Sequence, residues 1–503
     1  MKKKVVIIGG GLGGLFSGAI LSKEGFDVIV LEKNTTVGGG LQTFKRFGET
    51  FDTGMHVIGG MQEGGNIRKV CQYLGIMDKV EIMDVDDNCT DKLYFNEDHT
   101  AYEIAKGKDA YIDSLSRYFP YEKDNIVNYV NAIFKIVDSI DLFNLRPSSD
   151  YFYTYSEDFL MSADALISKY IRNPKLQSIL AYMNPLYGGR KDQTPAFIHA
   201  IINVLYINGT SRFIDGSHKF ANLLVDVIKE NGGTVLVNEE VEWIQVNLHH
   251  VDFVRTNNGN VYDADYYISD IHPCSMFRIM SEDAFPKSYR DRLNGLQNSY
   301  SAFGVYFKMK KNSFPYLNYT EYYMDRYEDI WEVGSARDQW PVGFLFMTPP
   351  NKNQGEFCSK VLITAPMSFD FVRQWENTTH KTRGKEYVEW KRQQAENIIN
   401  LIVRIHPDFR DCIDDYVTSS PLTIRDFYGV KEGALSGFSK DHKSITSSIV
   451  PVVTKVRNLL LTGQNNNLHG FCGVPLTAIN TCEALLGRNY IINRINQCVE
   501  SSC

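Results

Sequence analysis

A short apolar run, Val5-Val6-Ile7-Ile8, leads directly into Gly9-Gly10-Gly11-Leu12-Gly13-Gly14, a junction that few folds accommodate. β-Branched residues without a polar break predict a strand buried on both faces, as in a parallel sheet. The pattern then predicts an apolar helix over residues 15–23, a stop at Gly25, and a second strand over 27–31 ending on Glu32. Each part has a mechanical task. Gly9 allows the tight turn out of the strand, Gly11 removes the side chain that would hold a diphosphate off the backbone, and Gly14 and Gly18 let helix and sheet approach closely. The helix N-terminus then offers free N–H groups and a positive dipole end to the phosphates. Glu32 stands about 20 residues past the glycines, where a carboxylate accepts the hydroxyls of an adenosine ribose and repels a 2′-phosphate. The unit is therefore expected to take FAD or NAD and not NADP.

Met1-Lys2-Lys3-Lys4 before an apolar run has the look of a secretory signal. Glycines interrupt the run, however, and Glu24, Asp27 and Glu32 follow it with no small-residue cleavage site, so a mature cytoplasmic N-terminus is expected. No stretch approaches the roughly 20 apolar residues of a spanning helix. Nine cysteines lack CxxC spacing and sit mostly in apolar segments, which predicts reduced thiols and no metal site. His249 and His250 have no ligand partners at metal spacing and are expected at the surface. A net charge of −7 without long charged runs argues against nucleic acid and against capture by anionic lipid. At 503 residues and 43% hydrophobic, the chain has material for two or three domains.

The segment after Glu32 separates the two cofactors. Val37-Gly38-Gly39-Gly40 follows the acid at once, and Thr43-Phe44 leads on to Phe51-Asp52-Thr53-Gly54-Met55-His56-Val57-Ile58-Gly59-Gly60. An NAD dehydrogenase has no use for a second glycine cluster here. A flavoprotein does, because its chain must pass close to a longer cofactor. Residues 234–237, 241–246 and 251–256 read as a strand meander closed by 261–270. Leu459-Leu460-Leu461-Thr462-Gly463-Gln464 reads as a buried strand ending in glycine. A helix is expected over 475–486, with Pro475 in its first turn and Gly487 at its end.

In this order the segments resemble the phytoene desaturase and retinol saturase (all-trans-retinol 13,14-reductase) branch of the amine oxidase-like flavoproteins. The resemblance runs nearly end to end. It rests on the N-terminal unit, Phe51-Asp52-Thr53-Gly54-x-His56-x-Ile58-Gly59, Asp215-Gly216-Ser217, Asn238-Glu239-Glu240-Val241-Glu242-Trp243-Ile244, Ser420-Pro421-Leu422-Thr423, Gly433-Ala434-Leu435-x-Gly437 and Thr462-Gly463-Gln464. Two positions depart from the wider superfamily: Gly40 stands where many members carry Arg, and Gln464 where many carry an acid. The resemblance implies one FAD, held by Gly9, Gly11, Gly14, Glu32, Gly38, Gly39 and Gly54, with Val241 meeting the adenine and Gly463, Gln464 and Val474 lining the ribityl chain and flavin ring.

The expected fold is α/β, a discontinuous Rossmann-like FAD domain of residues 1–75, 205–285 and 415–503 carrying an inserted mixed α+β substrate domain of 76–204 and 286–414. Helical spacing is seen over 124–142, 160–171 and 385–405, and strands over 302–309 and 361–365. The expected activity is hydride transfer between flavin and a carbon–carbon bond of a lipophilic polyene or isoprenoid. No second GxGxxG is present, so electrons would come from or go to the substrate, a nicotinamide in the substrate cavity, or an external partner. His56 and His469 are the candidate proton donors. Tyr187 and Arg190 are weighed for a polar substrate end, against a solvated loop. Tyr151-Phe152-Tyr153-Thr154-Tyr155 is a candidate membrane-contacting lip, against a packed aromatic segment. The alternatives from other classes are an amine oxidase of the same superfamily and a flavin-free prenyl-binding escort of small GTPases.

Overall fold

The computed structural model describes residues 2–54, 57–148, 155–380 and 382–501. Its centre is a five-stranded, all-parallel sheet in the order Thr234–Leu236, Asp27–Leu31, Lys4–Ile8, Tyr266–Ser269, Leu459–Leu461. Side chains alternate across a strand, so Val5 and Ile7 face one layer while Val6 and Ile8 face the other. The first pair packs with the helix Leu12–Lys23, which lies against His218–Glu230 and Gly470–Leu486. The second pair packs with an antiparallel meander, Val241–Asn247, His250–Thr256 and Val261–Tyr262, through Ile244, Val251 and Val254. Helix Leu12–Lys23 is apolar all round because it is covered all round.

Three expectations need correction here. Residues 234–236 do not belong to the meander: they pair in parallel with Asp27–Leu31 as the edge of the central sheet, and Tyr266–Ser269 joins that sheet as well. Short apolar strands read alike in either place, and only pairing separates them. The first helix starts at Leu12, with Gly11 as its N-cap, so Gly13 and Gly14 are helical. The last long helix starts at Gly470 and not at Pro475, which leaves that proline inside it.

A second, seven-stranded sheet runs in the order Ile413–Ser419, Ser301–Met309, Lys360–Met367, Gly343–Met347, Thr320–Met324, Asp91–Phe95, Ala101–Ile104. All its pairings are antiparallel except Thr320–Met324 with Asp91–Phe95. Ile413–Ser419 spans the expected boundary at residue 415. One face packs Phe303, Val305 and Phe307 under Ala395, Ile398, Ile399 and Ile402 of the helix Gly384–Ile405. The opposite face, with Tyr306, Tyr322 and Leu345, turns toward the helix Ala196–Ile207 and the nucleotide-type unit. Arg212, fully buried, joins the two: its guanidinium donates to the Leu317 and Thr348 carbonyls at 2.9 and 3.1 Å and to Thr320 Oγ1 at 3.1 Å.

Gly14 shows how tightly the first helix sits, because a β-carbon there would collide with the Gly9 carbonyl oxygen. We expect Gly14→Val to cost about 1–3 kcal/mol of stability as an overpacked site. Gly40→Ala, whose added carbon would meet nothing within 4 Å, serves as the control. Thermal unfolding checks this: equal midpoints for Gly14→Val and the wild type would refute the close approach.

Candidate functional site

Strand Lys4–Ile8 ends in Gly9, whose φ of +103° is a turn conformation that favours glycine and whose N–H donates to the Leu31 carbonyl at 2.8 Å. Glu32, at the end of the neighbouring strand, is 5% exposed. Its Oε2 accepts from the Gly10 N–H and its Oε1 from the Asn34 N–H, each at 2.8 Å, which fixes the carboxylate at the rim of the cleft. The second glycine cluster folds back on the first. The Gly38 N–H donates to the Gly10 carbonyl at 2.7 Å, and a β-carbon on Gly39 would stand 3.1 Å from Gly11 Cα. Both clusters therefore form one cradle of bare backbone.

That cradle opens into a cavity of about 570 Å³. Gly9, Gly11, Glu32, Gly38, Gly39, Gly54, Val241, Gly463, Gln464, His469 and Val474 all line it. Gly14 is not among the lining residues; it sits one layer back, as the contact between helix and strand. Gly470–Leu486 presents its first turn to the same space, so two helix N-termini face the cavity. The earlier start of this helix brings Phe471, Cys472 and Gly473 into the wall. At its far end the cavity is walled by Ile198, Ile201, Ile202 and Leu205 from Ala196–Ile207, facing Leu345, Ala302 and Pro366 from the large sheet. Tyr206 and Tyr306 keep their hydroxyls satisfied, donating to the Val57 carbonyl at 2.7 Å and the Thr53 carbonyl at 2.9 Å. The cavity thus has a polar, glycine-lined end and an aliphatic one.

Of the two candidate proton donors, His56 lies outside the described residues. His469 is the N-cap residue of Gly470–Leu486, 8% exposed. Burial, reinforced by the nearby Lys440 ammonium, pushes its imidazole down to about 4, so it does not titrate near neutrality as the sequence suggested. Its Nε2 has no hydrogen-bond partner among the described residues. Tyr187 turns away from the cavity into a buried network: its hydroxyl meets His199 Nδ1 at 2.9 Å, and Tyr129 meets Nε2 at 2.6 Å. It is buried, so the solvated-loop reading fails for it. Four residues of the candidate lip, 151–154, also lie outside the described residues.

Asp270 and His272 were missed by the sequence reading. Both follow strand Tyr266–Ser269 and line the cavity at the carboxyl end of the parallel sheet. The available signal was their place at a strand end, where open α/β sheets bind ligands. The aliphatic wall carried no separate signal, since its residues look like core.

Residues 7–74 match the NAD(P)-binding Rossmann-like domain family. The all-trans-retinol 13,14-reductase of Rattus norvegicus is 25% identical over 97% of this chain and 86% of its own length. The chloroplastic prolycopene isomerase 2 of an Oncidium hybrid cultivar is 23% identical over 85% of this chain and 74% of its own. These likenesses support the resemblance to the phytoene desaturase and retinol saturase-like branch of the amine oxidase superfamily. An oxidoreductase from Methanosarcina mazei shares the fold, with a TM-score of 0.63 at 17% identity, over 95% of this chain and all of that one. Among the described residues, no helix is long and apolar enough to cross a membrane.

His469 yields a prediction with a definite sign. An imidazole pushed down to about 4 is neutral at pH 7 and gains its proton only as pH falls through that value. Its ring resonances, assigned by comparison with His469→Gln, should not shift between pH 5.5 and 8. A titration centred near 6.5 would show that the ring is open to water.

Proposed function

We propose that this chain is an FAD-dependent oxidoreductase that moves a hydride between the flavin and a carbon–carbon bond of a lipophilic polyene. The observation that carries the reading is the single cavity that joins a bare-backbone, helix-capped end to an aliphatic one. The named relatives act, by their names, on a retinoid and a carotenoid, and that supports the substrate class. The cradle fits a dinucleotide: Gly11 and Gly39 bring two stretches of bare backbone together at the N-terminus of Leu12–Lys23, where a diphosphate would be held, and the Glu32 carboxylate beside Gly10 would meet the ribose. Gly38, Gly54, Val241, Gly463, Gln464 and Val474 would hold the remainder. When bound, FAD supplies two-electron exchange with the substrate.

The remaining work falls to the chain. Ile198, Ile201, Ile202 and Leu205 exclude water and lay an extended apolar molecule along the wall formed by Leu345, Ala302 and Pro366. Gln464 offers an amide where a carboxylate is common, so it contributes hydrogen bonds without charge. His469, neutral at pH 7, serves as a hydrogen-bonding group in the wall and not as an acid. We assign the nucleotide-holding part to residues 1–75, 205–285 and 415–503, and the substrate-covering part to 76–204 and 286–414.

The test is anaerobic. Protein carrying FAD is mixed with retinol, with phytoene, and with a primary amine while the flavin absorbance is followed, starting from oxidised and from dithionite-reduced flavin. A polyene should change the spectrum, and a response to the amine alone would move the chain to the amine oxidases. Glu32→Ala should weaken FAD binding about 10- to 150-fold, the equivalent of roughly 1.5–3 kcal/mol for hydrogen bonds to a charged group. Equal flavin retention in wild type and variant would displace Glu32 from the ribose.

A further inference from the structure

Strand Tyr266–Ser269 delivers Asp270 to the carboxyl end of the parallel sheet, directly opposite the N-terminus of Leu12–Lys23. Its backbone N–H donates to the Ile8 carbonyl at 2.9 Å, which holds the residue in line with the glycine loop. A β-carbon placed on Gly11 would stand 2.6 Å from Asp270 Oδ2, and one on Gly13 would stand 2.5 Å from Oδ1. A β-carbon on Gly463 would also collide with Oδ1. Glycines from two distant segments thus surround this one carboxyl group. The backbone N–H groups of Gly11 and Gly14 favour its charged form, as a helix N-terminus favours any anion.

We propose that the Asp270 carboxylate competes with the dinucleotide diphosphate for the N-terminus of Leu12–Lys23, and that dinucleotide binding is therefore coupled to uptake of one proton by this group. The inference rests on the dinucleotide reading of the cleft. Two anions at one helix end repel, and a carboxyl group that gains a proton removes the repulsion and can donate a hydrogen bond to a phosphate oxygen.

The surroundings favour the protonated form. Burial, together with the negative charge of Glu32 from the adjacent strand, pushes the Asp270 carboxyl up to about 7, against the pull of the two glycine N–H groups. His272, on its own segment, is pushed down by burial to about 4 and is neutral there. His469, on the loop after Leu459–Leu461, is likewise neutral. Lys33, beyond Glu32, is turned to the Asp426 carbonyl at 3.1 Å. A diphosphate beside Asp270 raises its proton affinity further. Above pH 7 the free protein then lacks a proton that the complex holds, so affinity falls as pH rises; below about pH 6 both hold it and affinity is flat.

Titration calorimetry of the full chain, freed of flavin, tests this with FAD and with ADP, which carries the diphosphate without the flavin. At pH 8 the heat is measured in HEPES and in Tris, whose ionisation enthalpies differ, and at pH 6 in MES. Near one proton should be taken up per ligand at pH 8, and affinity should fall toward about tenfold per unit above pH 7. Asp270→Asn should abolish both effects and bind more tightly at pH 8. Equal heats in HEPES and Tris for the wild type, which needs no variant, would overturn the inference while leaving the dinucleotide site standing. The same holds if Asp270→Asn keeps the wild-type uptake. Failure of both FAD and ADP to bind at any pH would overturn the dinucleotide reading and the inference together.

Discussion

Helix Leu12–Lys23 lies so close to strand Lys4–Ile8 that the Gly14 position has no room for a β-carbon beside the Gly9 carbonyl. That approach sets the height and direction of the helix, and with them the place where its unpaired N–H groups point. The Gly38 N–H then bonds the Gly10 carbonyl, Glu32 bonds the Gly10 N–H, and Asp270 stands over Gly11 and Gly13, all by reference to the same loop. Moving the helix by the width of a methyl group would disturb each of these contacts at once, because the interior is close-packed and has few voids to absorb the shift.

The second constraint is the seam between a small three-stranded sheet and the large mixed sheet. Thr210–Phe213, which pairs with both Val57–Gly59 and Ile82–Asp84, carries Arg212 into the interior. A buried guanidinium is costly unless its donors are paired, and three of its contacts go to Leu317, Thr348 and Thr320 around the large sheet. Asp91, in the same interior, is pushed up to about 6 by burial, with Arg212 pulling the other way. These contacts tie the small sheet to the large one, and the aliphatic wall of the cavity lies between the large sheet and Ala196–Ile207. The same kinds of side chain that fill a core elsewhere here line the cavity.

The sites that were legible in the sequence are those where chemistry requires a particular residue at a particular spacing. Gly9, Gly11 and Glu32 stand out because a tight turn, a close backbone approach and a strand-end carboxylate leave little choice of residue. Gly38 and Gly39 stand out in the same way, and the structure adds the reason: they fold onto the first loop. His469 was legible as a residue near the cavity but not as a neutral one. Its protonation depends on burial and on Lys440, 29 positions earlier in the chain, and neither is a local property.

By itself the sequence determined a parallel nucleotide-type sheet, the acid at its second strand end and the order of the glycine clusters, because each follows from short-range sterics or from residue spacing. Tertiary structure alone decided that residues 234–236 edge the central sheet, since a three-residue apolar strand is equally at home in a meander until its partner is known. It alone extended the last long helix back to Gly470, where Phe471 packs edge-on against Phe213 and Phe220, contacts that a local preference for Pro475 in a first turn does not reveal. It also chose which aliphatic residues face the cavity and which fill the core. Ile198 and Leu345 are 147 positions apart and become facing walls only when the large sheet closes over Ala196–Ile207, a distance no local pattern encodes.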